Sequence, residues 1–334
     1  MKVAVVGATG AVGETILRVL EERAFPVSGL GAFASRQRAA AARFRGEALD
    51  AQATAFEALA AYDVVLFAGG DDASKDLARA LAEAGKLVAD NSSTYRMAAG
   101  VPLVVPDVNP HALGTARLAP VANCSTIQLV LALKPVRDAA GLRSVRVATY
   151  QSVSGAGRPA LERLESEERA LFGGEELSAA GSPFPGAIAR NVIPQIGSFD
   201  EAGACTEEQK ILEETRKILE LPDLHVAATT VRVPVRFAHS EAVFVETERE
   251  TSAGELAEAI AAQPGVRLVR EGIVTPRDVE GQETVYVARL RAEAGSRRHF
   301  QMWVVGDNLR VGAATTAVRL AELMVAAHRA ESAA

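Results

Sequence analysis

The sequence predicts an α/β protein of two domains: a parallel sheet flanked by helices, then an α+β region with a mostly antiparallel sheet. Three observations lead there. Short β-branched runs alternate with helical periods over the first third, longer runs of period-two character take over after about residue 124, and 334 residues leave room for two cores at ~100–200 residues each. Residues 3–6 form the first strand, followed by a helix over about 11–23, strands over 27–33 and 63–67, a helix around 73–84 and a strand over 87–89. This βαβ rhythm predicts helices on both faces of the sheet and a ligand beyond the carboxyl ends of its strands. Residues 101–106 read as another strand, closed by prolines, and 118–122 as a further one that ends at Asn123-Cys124. A helical run over 126–133 then reaches Pro135, which lacks an N–H donor and is expected to end or kink the helix. Longer strands follow over 145–150, 226–235, 241–246, 283–290 and 299–305, with helices at about 160–172, 206–219 and 253–262. The apolar helical pattern over 313–327 is expected to return to the first domain. The expected division is therefore 1–123 with 308–334 for one domain and 124–307 for the other.

Composition narrows the class of function. Lys and Arg number 36 against 42 Asp and Glu, a formal charge of −6, and no basic run offers a footprint for nucleic acid or an anionic membrane. Aromatic residues at 5% leave few stacking platforms for single-stranded nucleic acid. No stretch approaches the ~20 apolar residues of a membrane helix, and Lys2-Val3-Ala4 leads straight into a strand, so a cytoplasmic location is expected. The two cysteines, Cys124 and Cys205, form no CxxC pair or Cys/His cluster, which argues against a disulfide framework and against a metal site. Small-molecule chemistry is the expectation.

Gly7-Ala8-Thr9-Gly10-Ala11-Val12-Gly13 follows the first strand and opens a helix, the context of a dinucleotide-binding turn. Glycines there let the backbone approach a pyrophosphate, whose charge the helix N–H groups and dipole stabilise. The spacing is GxxGxxG, and a glycine-rich tight turn is the alternative reading. The second strand ends in Ala34-Ser35-Arg36-Gln37-Arg38, without the acid that accepts from a ribose 2′-OH. A hydroxyl and two guanidiniums suit a 2′-phosphate and favour NADP(H), against a solvated basic turn.

Cys124 stands at a strand-to-helix junction, where helix N–H groups lower a thiol pKa and can hold an oxyanion. It is the candidate nucleophile, against a small buried side chain. Cys205 has no comparable setting. Arg232 offers a carboxylate-binding fork and His239 an acid/base imidazole, but their separation is odd. On one unbroken strand they would face opposite ways, so the register must break around Pro234 or 236–238 if both serve one site; otherwise they are a surface ion pair and a satisfied histidine. Glu207 and Lys210 share a helix face, as ordinary surface pairs also do. The small-residue loop Tyr150-Gln151-Ser152-Val153-Ser154-Gly155-Ala156-Gly157 is a close-approach surface for a ligand, or a flexible connection.

Together these blocks resemble the aspartate-β-semialdehyde dehydrogenase family from one end of the chain to the other: GATGAVG, FAGG, DNSSTYRM, VPLVVPDVNP, NCSTIQ, TYQSVSGAG, NVIPQI, EEQK, ETRKIL, VRVPV, HSEAV and VVGDNLR stand in that family's order. The resemblance implies a Rossmann-type nucleotide domain, an α/β catalytic and dimerisation domain, and a homodimer or dimer of dimers. It implies an NADP-dependent, phosphorylating aldehyde dehydrogenase that converts β-aspartyl phosphate to aspartate semialdehyde and phosphate, on the way to lysine, threonine and methionine. Carried over by position, Cys124 would form a thioacyl intermediate, His239 would be the acid/base and Gln151 would orient the intermediate. Arg232 would clamp the substrate carboxylate and Glu207 would accept from its amine. Arg96, Asn123 and Lys210, with Ser154 nearby, would complete the substrate and phosphate subsites. Gly7, Thr9, Gly10, Ala11, Val12, Gly13, Ser35, Arg36, Gly69, Gly70, Ser154, Gly155 and Asn308 would hold the cofactor. Where the family carries ASxRSAGK, this chain has Gln37 at the usual arginine. Ala122 replaces the proline that commonly precedes Asn-Cys, and Val311 the lysine of DNLRKGAA. Two enzyme or binding alternatives stand beside this reading: an N-acetyl-γ-glutamyl-phosphate reductase, which has no use for Glu207 facing an ammonium, and a non-catalytic NADP-binding paralogue, against which the presence of Cys124, Gln151, Arg232 and His239 argues. A third, a redox sensor, needs a resolving thiol near Cys124.

Overall fold

A strand buried on both faces reads as a continuous apolar run, and β1 (Lys2–Val6) is one, with Val3, Ala4 and Val5 wholly buried. The structure, a computed structural model, describes residues 1–34, 42–69 and 71–333. The chain forms two units, Met1–Asn123 with Gly312–Ala334, and Cys124–Val311.

In the first unit β1 is followed by α1 (Ala11–Glu22), β2 (Gly29–Ala34), the short pair β3 (Ala42–Phe44) and β4 (Glu47–Leu49), β5 (Ala51–Ala53) and α2 (Phe56–Leu59). Then come β6 (Val64–Phe67), α3 (Asp71–Glu83), β7 (Leu87–Asp90) and β8 (Leu118–Pro120). The main sheet is parallel throughout, in the order β5-β2-β1-β6-β7-β8. The strand order reverses at β1, so the crevice at its carboxyl end is the topological switch point where such sheets bind ligands.

The proline-bounded segment 101–106 is not a strand. The Asn109 side chain takes its backbone groups instead, Oδ1 accepting from Val105 N–H at 2.9 Å and Nδ2 donating to the Leu103 carbonyl at 3.0 Å. Pro102 and Pro106 remove two ladder donors, while Leu103, Val104 and Val105 still bury their side chains.

The second unit contains α4 (Cys124–Ala140), β9 (Ser144–Gln151), α5 (Arg158–Phe172), α6 (Thr206–Ile218), β10 (His225–Arg232) and β11 (His239–Glu246). It continues with α7 (Ala253–Ala261), β12 (Val266–Val269), α8 (Pro276–Val279), β13 (Val285–Ala292) and β14 (His299–Gly306). Its sheet runs β10-β9-β11-β14-β13-β12; the three central pairings are antiparallel and the two edge pairings parallel. Period-two alternation sorts its faces. Val145, Val147, Thr149 and Gln151 of β9 are buried, whereas Tyr150 and Phe244 stand exposed on the other face.

Helix α4 packs against α6, α7, β13 and β14 and runs through Pro135, so that of the two expected outcomes, an end or a kink, the helix does not end there. Every residue from Ser125 to Leu133 is buried, so packing on all sides outweighs the ~3 kcal/mol cost of one missing helical donor. The last helix, α9 (Thr315–Ala333), belongs to the first unit. It packs on β6, β7 and α1, and Arg23 forks onto Glu322 at 2.9 and 2.7 Å. Among the described residues no helix is long and apolar enough to cross a membrane.

Candidate active site

In the first unit the turn after β1 is built by close backbone approach. Gly7 has φ +80° and its N–H bonds to the Phe33 carbonyl at 2.8 Å, while Gly10 N–H closes onto Gly7 O at 3.0 Å. A Cβ at Gly13 would lie 2.2 Å from Gly7 O, so only glycine lets α1 start this close to the turn. The first helical bond runs from Glu14 N–H to Gly10 O, which leaves the N–H groups of Ala11, Val12 and Gly13 without an intrahelical acceptor, directly after Thr9 in the turn. This cradle suits a dinucleotide pyrophosphate. Gly69, with φ +131°, follows β6 at the same sheet edge. Ser35, Arg36 and Gly70 lie outside the described residues, as does Gln37.

Arg96 is buried and held by backbone, Nε donating to the Val121 carbonyl at 2.8 Å and Nη2 to the Asn91 carbonyl at 3.0 Å. It thereby braces the segment that leads into the buried Asn123.

In the second unit Cys124 is the first residue of α4 and is partly exposed. The register question about Arg232 and His239 resolves through topology: they end β10 and begin β11, on either side of β9. Arg232 pairs with Gln151, and the β9/β11 register that sets Ser240 opposite Tyr150 continues to set His239 beside Gln151. Arg232, Gln151 and His239 therefore form one row across the buried face of the sheet, all at most 5% exposed. A Cβ at Gly155 would lie 2.9 Å from Arg232 Nη1 and 3.1 Å from His239 Nε2, so both side chains converge on that glycine.

The chemistry of each group follows from its partners. Arg232 Nη1 donates to the Ser152 carbonyl at 2.7 Å, and its guanidinium lies over Phe184. Burial draws its pKa down, while the negative charges of Glu207 and then Cys124 act to keep it protonated, so the guanidinium and the cysteine sulfur lie within electrostatic reach of each other. Glu207 is buried on α6 and pairs with half-buried Lys210 at 3.5 Å. Gln151 Nε2 donates to Thr149 Oγ1 at 3.4 Å. His239 is wholly buried, and burial first, then Arg232, holds its pKa well below the ordinary value. Its Nδ1 accepts from Ser152 N–H at 3.0 Å, so the neutral ring carries its proton on Nε2, the atom near Gly155, which has no hydrogen-bond partner.

The sequence reading named Asn308 only for the cofactor and gave Glu241 no role; the structure shows what each does locally. Asn308 Oδ1 gathers Ser152 Oγ at 3.1 Å, Ser154 Oγ at 3.0 Å and Ala238 N–H at 3.0 Å. Glu241, two residues beyond His239 and on the same face, is fully buried with both carboxyl oxygens lacking a hydrogen-bond partner. Burial pushes its pKa well above the ordinary range, with the Gln128 amide pulling the other way. An acid at an inward position of an apolar strand is a signal the sequence carries, and period-two spacing from His239 would have found it. Cys205 is buried with Sγ 3.0 Å from Thr230 Oγ1. Among the described residues no group of three His, Cys, Asp or Glu is placed to hold a metal ion.

Comparison with known proteins agrees over the whole length. Residues 2–116 match the family model described as semialdehyde dehydrogenase, NAD binding domain, and residues 133–311 that described as semialdehyde dehydrogenase, dimerisation domain. Aspartate-semialdehyde dehydrogenase of Aquifex aeolicus is 44% identical over 97% of this chain and 98% of its own, and that of Bacillus subtilis 40% over 96% of each. The crystal structure of aspartate semialdehyde dehydrogenase II from Vibrio cholerae complexed with ASA superposes with a TM-score of 0.92 at 40% identity, covering 97% of this chain and 98% of that one. With both units matched and the backbone shared end to end, the chain belongs to the aspartate-semialdehyde dehydrogenase family, an oxidoreductase family that uses a nicotinamide cofactor.

Proposed function

We propose that this protein is an NADPH-dependent aspartate-semialdehyde dehydrogenase that works through Cys124, converting L-aspartyl 4-phosphate to L-aspartate 4-semialdehyde and phosphate in lysine, threonine and methionine biosynthesis. The observation that carries the reading is the buried Arg232–Gln151–His239 row, in which Arg232 feels the charge of a cysteine at a helix N-terminus. Cys124 Sγ attacks the acyl carbon; the C–S bond forms, the C–O bond to phosphate breaks and phosphate departs. The nicotinamide, when bound, supplies the hydride that reduces the resulting thioester. Collapse of the tetrahedral adduct then releases the aldehyde and the thiolate. The Nε2 proton of His239 serves the developing oxyanion, and Gln151 orients the acyl group. Arg232 clamps the α-carboxylate and Glu207 accepts from the α-amine. Arg96, Asn123, Lys210 and Ser154 serve the phosphate and substrate subsites.

The first unit takes the nucleotide through Gly7, Thr9, Gly10, Ala11, Val12, Gly13 and Gly69, Ser35 and Arg36 give the preference for the 2′-phosphate, and Ser154, Gly155 and Asn308, which belong to the second unit, are assigned to the cofactor by the family resemblance. The second unit is catalytic and forms the dimer, for which the exposed Tyr150 and Phe244 face of its sheet is available. The enzyme works in the cytoplasm. A single assay in the phosphorolytic direction tests the reading: aspartate semialdehyde with phosphate and NADP⁺ is turned over, whereas N-acetylglutamate semialdehyde is not and NAD⁺ is poorer. Preference for the acylated semialdehyde sinks the substrate assignment, and equal use of both nucleotides removes the role of Ser35 and Arg36.

Arg232→Lys is expected to raise KM for aspartate semialdehyde by about 10²-fold, the scale of losing hydrogen bonds to a charged group, because a point charge does not replace a planar fork. Steady-state kinetics checks this, and a near-normal KM detaches Arg232 from the substrate.

A further inference from the structure

We propose that Ser152 and Asn308 are positioning residues that decide which nitrogen of His239 carries the proton, Ser152 acting on the ring directly and Asn308 through Ser152. The proposal rests on the reading of His239 as the acid/base. Ser152 presents Nδ1 with two groups of opposite character, its backbone N–H at 3.0 Å and its hydroxyl Oγ at 3.0 Å. The N–H is a permanent donor and demands an acceptor at Nδ1, which holds the resting proton on Nε2. The hydroxyl can serve either way. When it donates to Nδ1 it reinforces the resting form. When it turns its hydrogen onto Asn308 Oδ1, 3.1 Å away, a lone pair is freed to accept from a protonated Nδ1.

Ser154 Oγ lies 3.0 Å from both Ser152 Oγ and Asn308 Oδ1 and can take up whichever place the Ser152 hydroxyl leaves. Asn308 is itself fixed by Ala238 N–H, at a residue with φ +67° immediately before His239. Ring, hydroxyl pair and amide are therefore one buried unit. For His239 to hold two protons, or to accept one at Nε2, Nδ1 must bear hydrogen against the Ser152 N–H, and Ser152 Oγ is the side-chain group placed to receive it, beside the Ala238 backbone, which also favours the protonated ring. The charged and titratable groups around this unit are Arg232 from β10, which disfavours the cation, Glu241 along β11, and Cys124 of α4 and Glu207 of α6, which act on Arg232. Among the described residues none of these charged groups hydrogen-bonds to Nδ1, so the Ser152 hydroxyl is the side-chain control on the ring.

Ring-nitrogen NMR on the full-length protein labelled in its five histidines, with His239 assigned by its loss in His239→Asn, reads the tautomer directly. The pH dependence of kcat reads proton affinity in turnover. The resting ring is expected to be protonated on Nε2. Ser152→Ala is expected to lower proton affinity about tenfold, moving the acid limb of kcat down by about one pH unit. Ser152→Thr is expected to restore it, and Asn308→Asp, which adds a negative charge behind the hydroxyl, to move the limb up. A purely structural role would lower activity without moving the limb. A resting Nδ1–H tautomer, or an unmoved ring in both Ser152→Ala and Asn308→Asp, overturns the proposal. A ring that responds by NMR while the kcat profile stays fixed refutes His239 as the acid/base and leaves the positioning intact.

Discussion

Cys124→Ser is expected to abolish phosphate-dependent oxidation of aspartate semialdehyde, by on the order of 10⁴-fold or more, the scale on which a covalent mechanism loses its nucleophile. The reasons are local. Sulfur at the first position of α4 meets the positive end of the helix and the field of buried Arg232, and both favour a thiolate. An alcohol at the same position has a proton affinity far beyond what these two influences can overcome, so it stays protonated and unreactive. Nucleotide binding belongs to the glycine turn of the first unit and is expected to survive unchanged. The measurement is turnover alongside NADPH titration by fluorescence. Loss of both together would mean a folding defect, and retained turnover would remove the thioacyl route.

The second large effect concerns stability. Glu241 is wholly buried among Thr149 and Val304 on the adjoining strands, and folding raises its pKa well above 4.5. A carboxyl with a raised folded pKa contributes stability that is complete below its ordinary value and is lost as pH rises toward its folded value. Glu241→Gln keeps the shape and removes the ionisation. The two proteins are therefore expected to match near pH 4 and to diverge above about pH 4.5, the variant gaining about 1.4 kcal/mol for each pH unit up to the Glu241 midpoint. His239 acts in the opposite sense, weakening the fold as pH falls below its ordinary 6.5, but it is common to both proteins and cancels in the difference. Urea midpoints for both proteins across that range check the slope. Parallel curves would show that the carboxyl is hydrated or paired and not desolvated.

Local signals were legible wherever one interaction dominates. The βαβ rhythm, the glycine turn, the strand-to-helix position of Cys124 and the face shared by Glu207 and Lys210 all follow from periodicity, from backbone access or from a helix N-terminus, and each depends on residues within a turn or two. The segment 101–106 and Pro135 show where this stops. In the first, the Asn109 side chain claims backbone groups that composition assigns to a ladder. In the second, burial on all sides carries a helix through a residue that breaks it in isolation.

The sequence alone determined the two kinds of sheet, the residue types of the chemistry and the family they resemble, because those depend on order along the chain. Only the tertiary structure decided that Arg232, Gln151 and His239 share a row, that Ser152 meets Nδ1 of His239, and that Glu241 is shut away from water. Those outcomes depend on which strands lie side by side. Strand pairing is set by the packing of whole faces against α4, α6 and α7, a sum of many weak contacts far apart in sequence that no local spacing encodes.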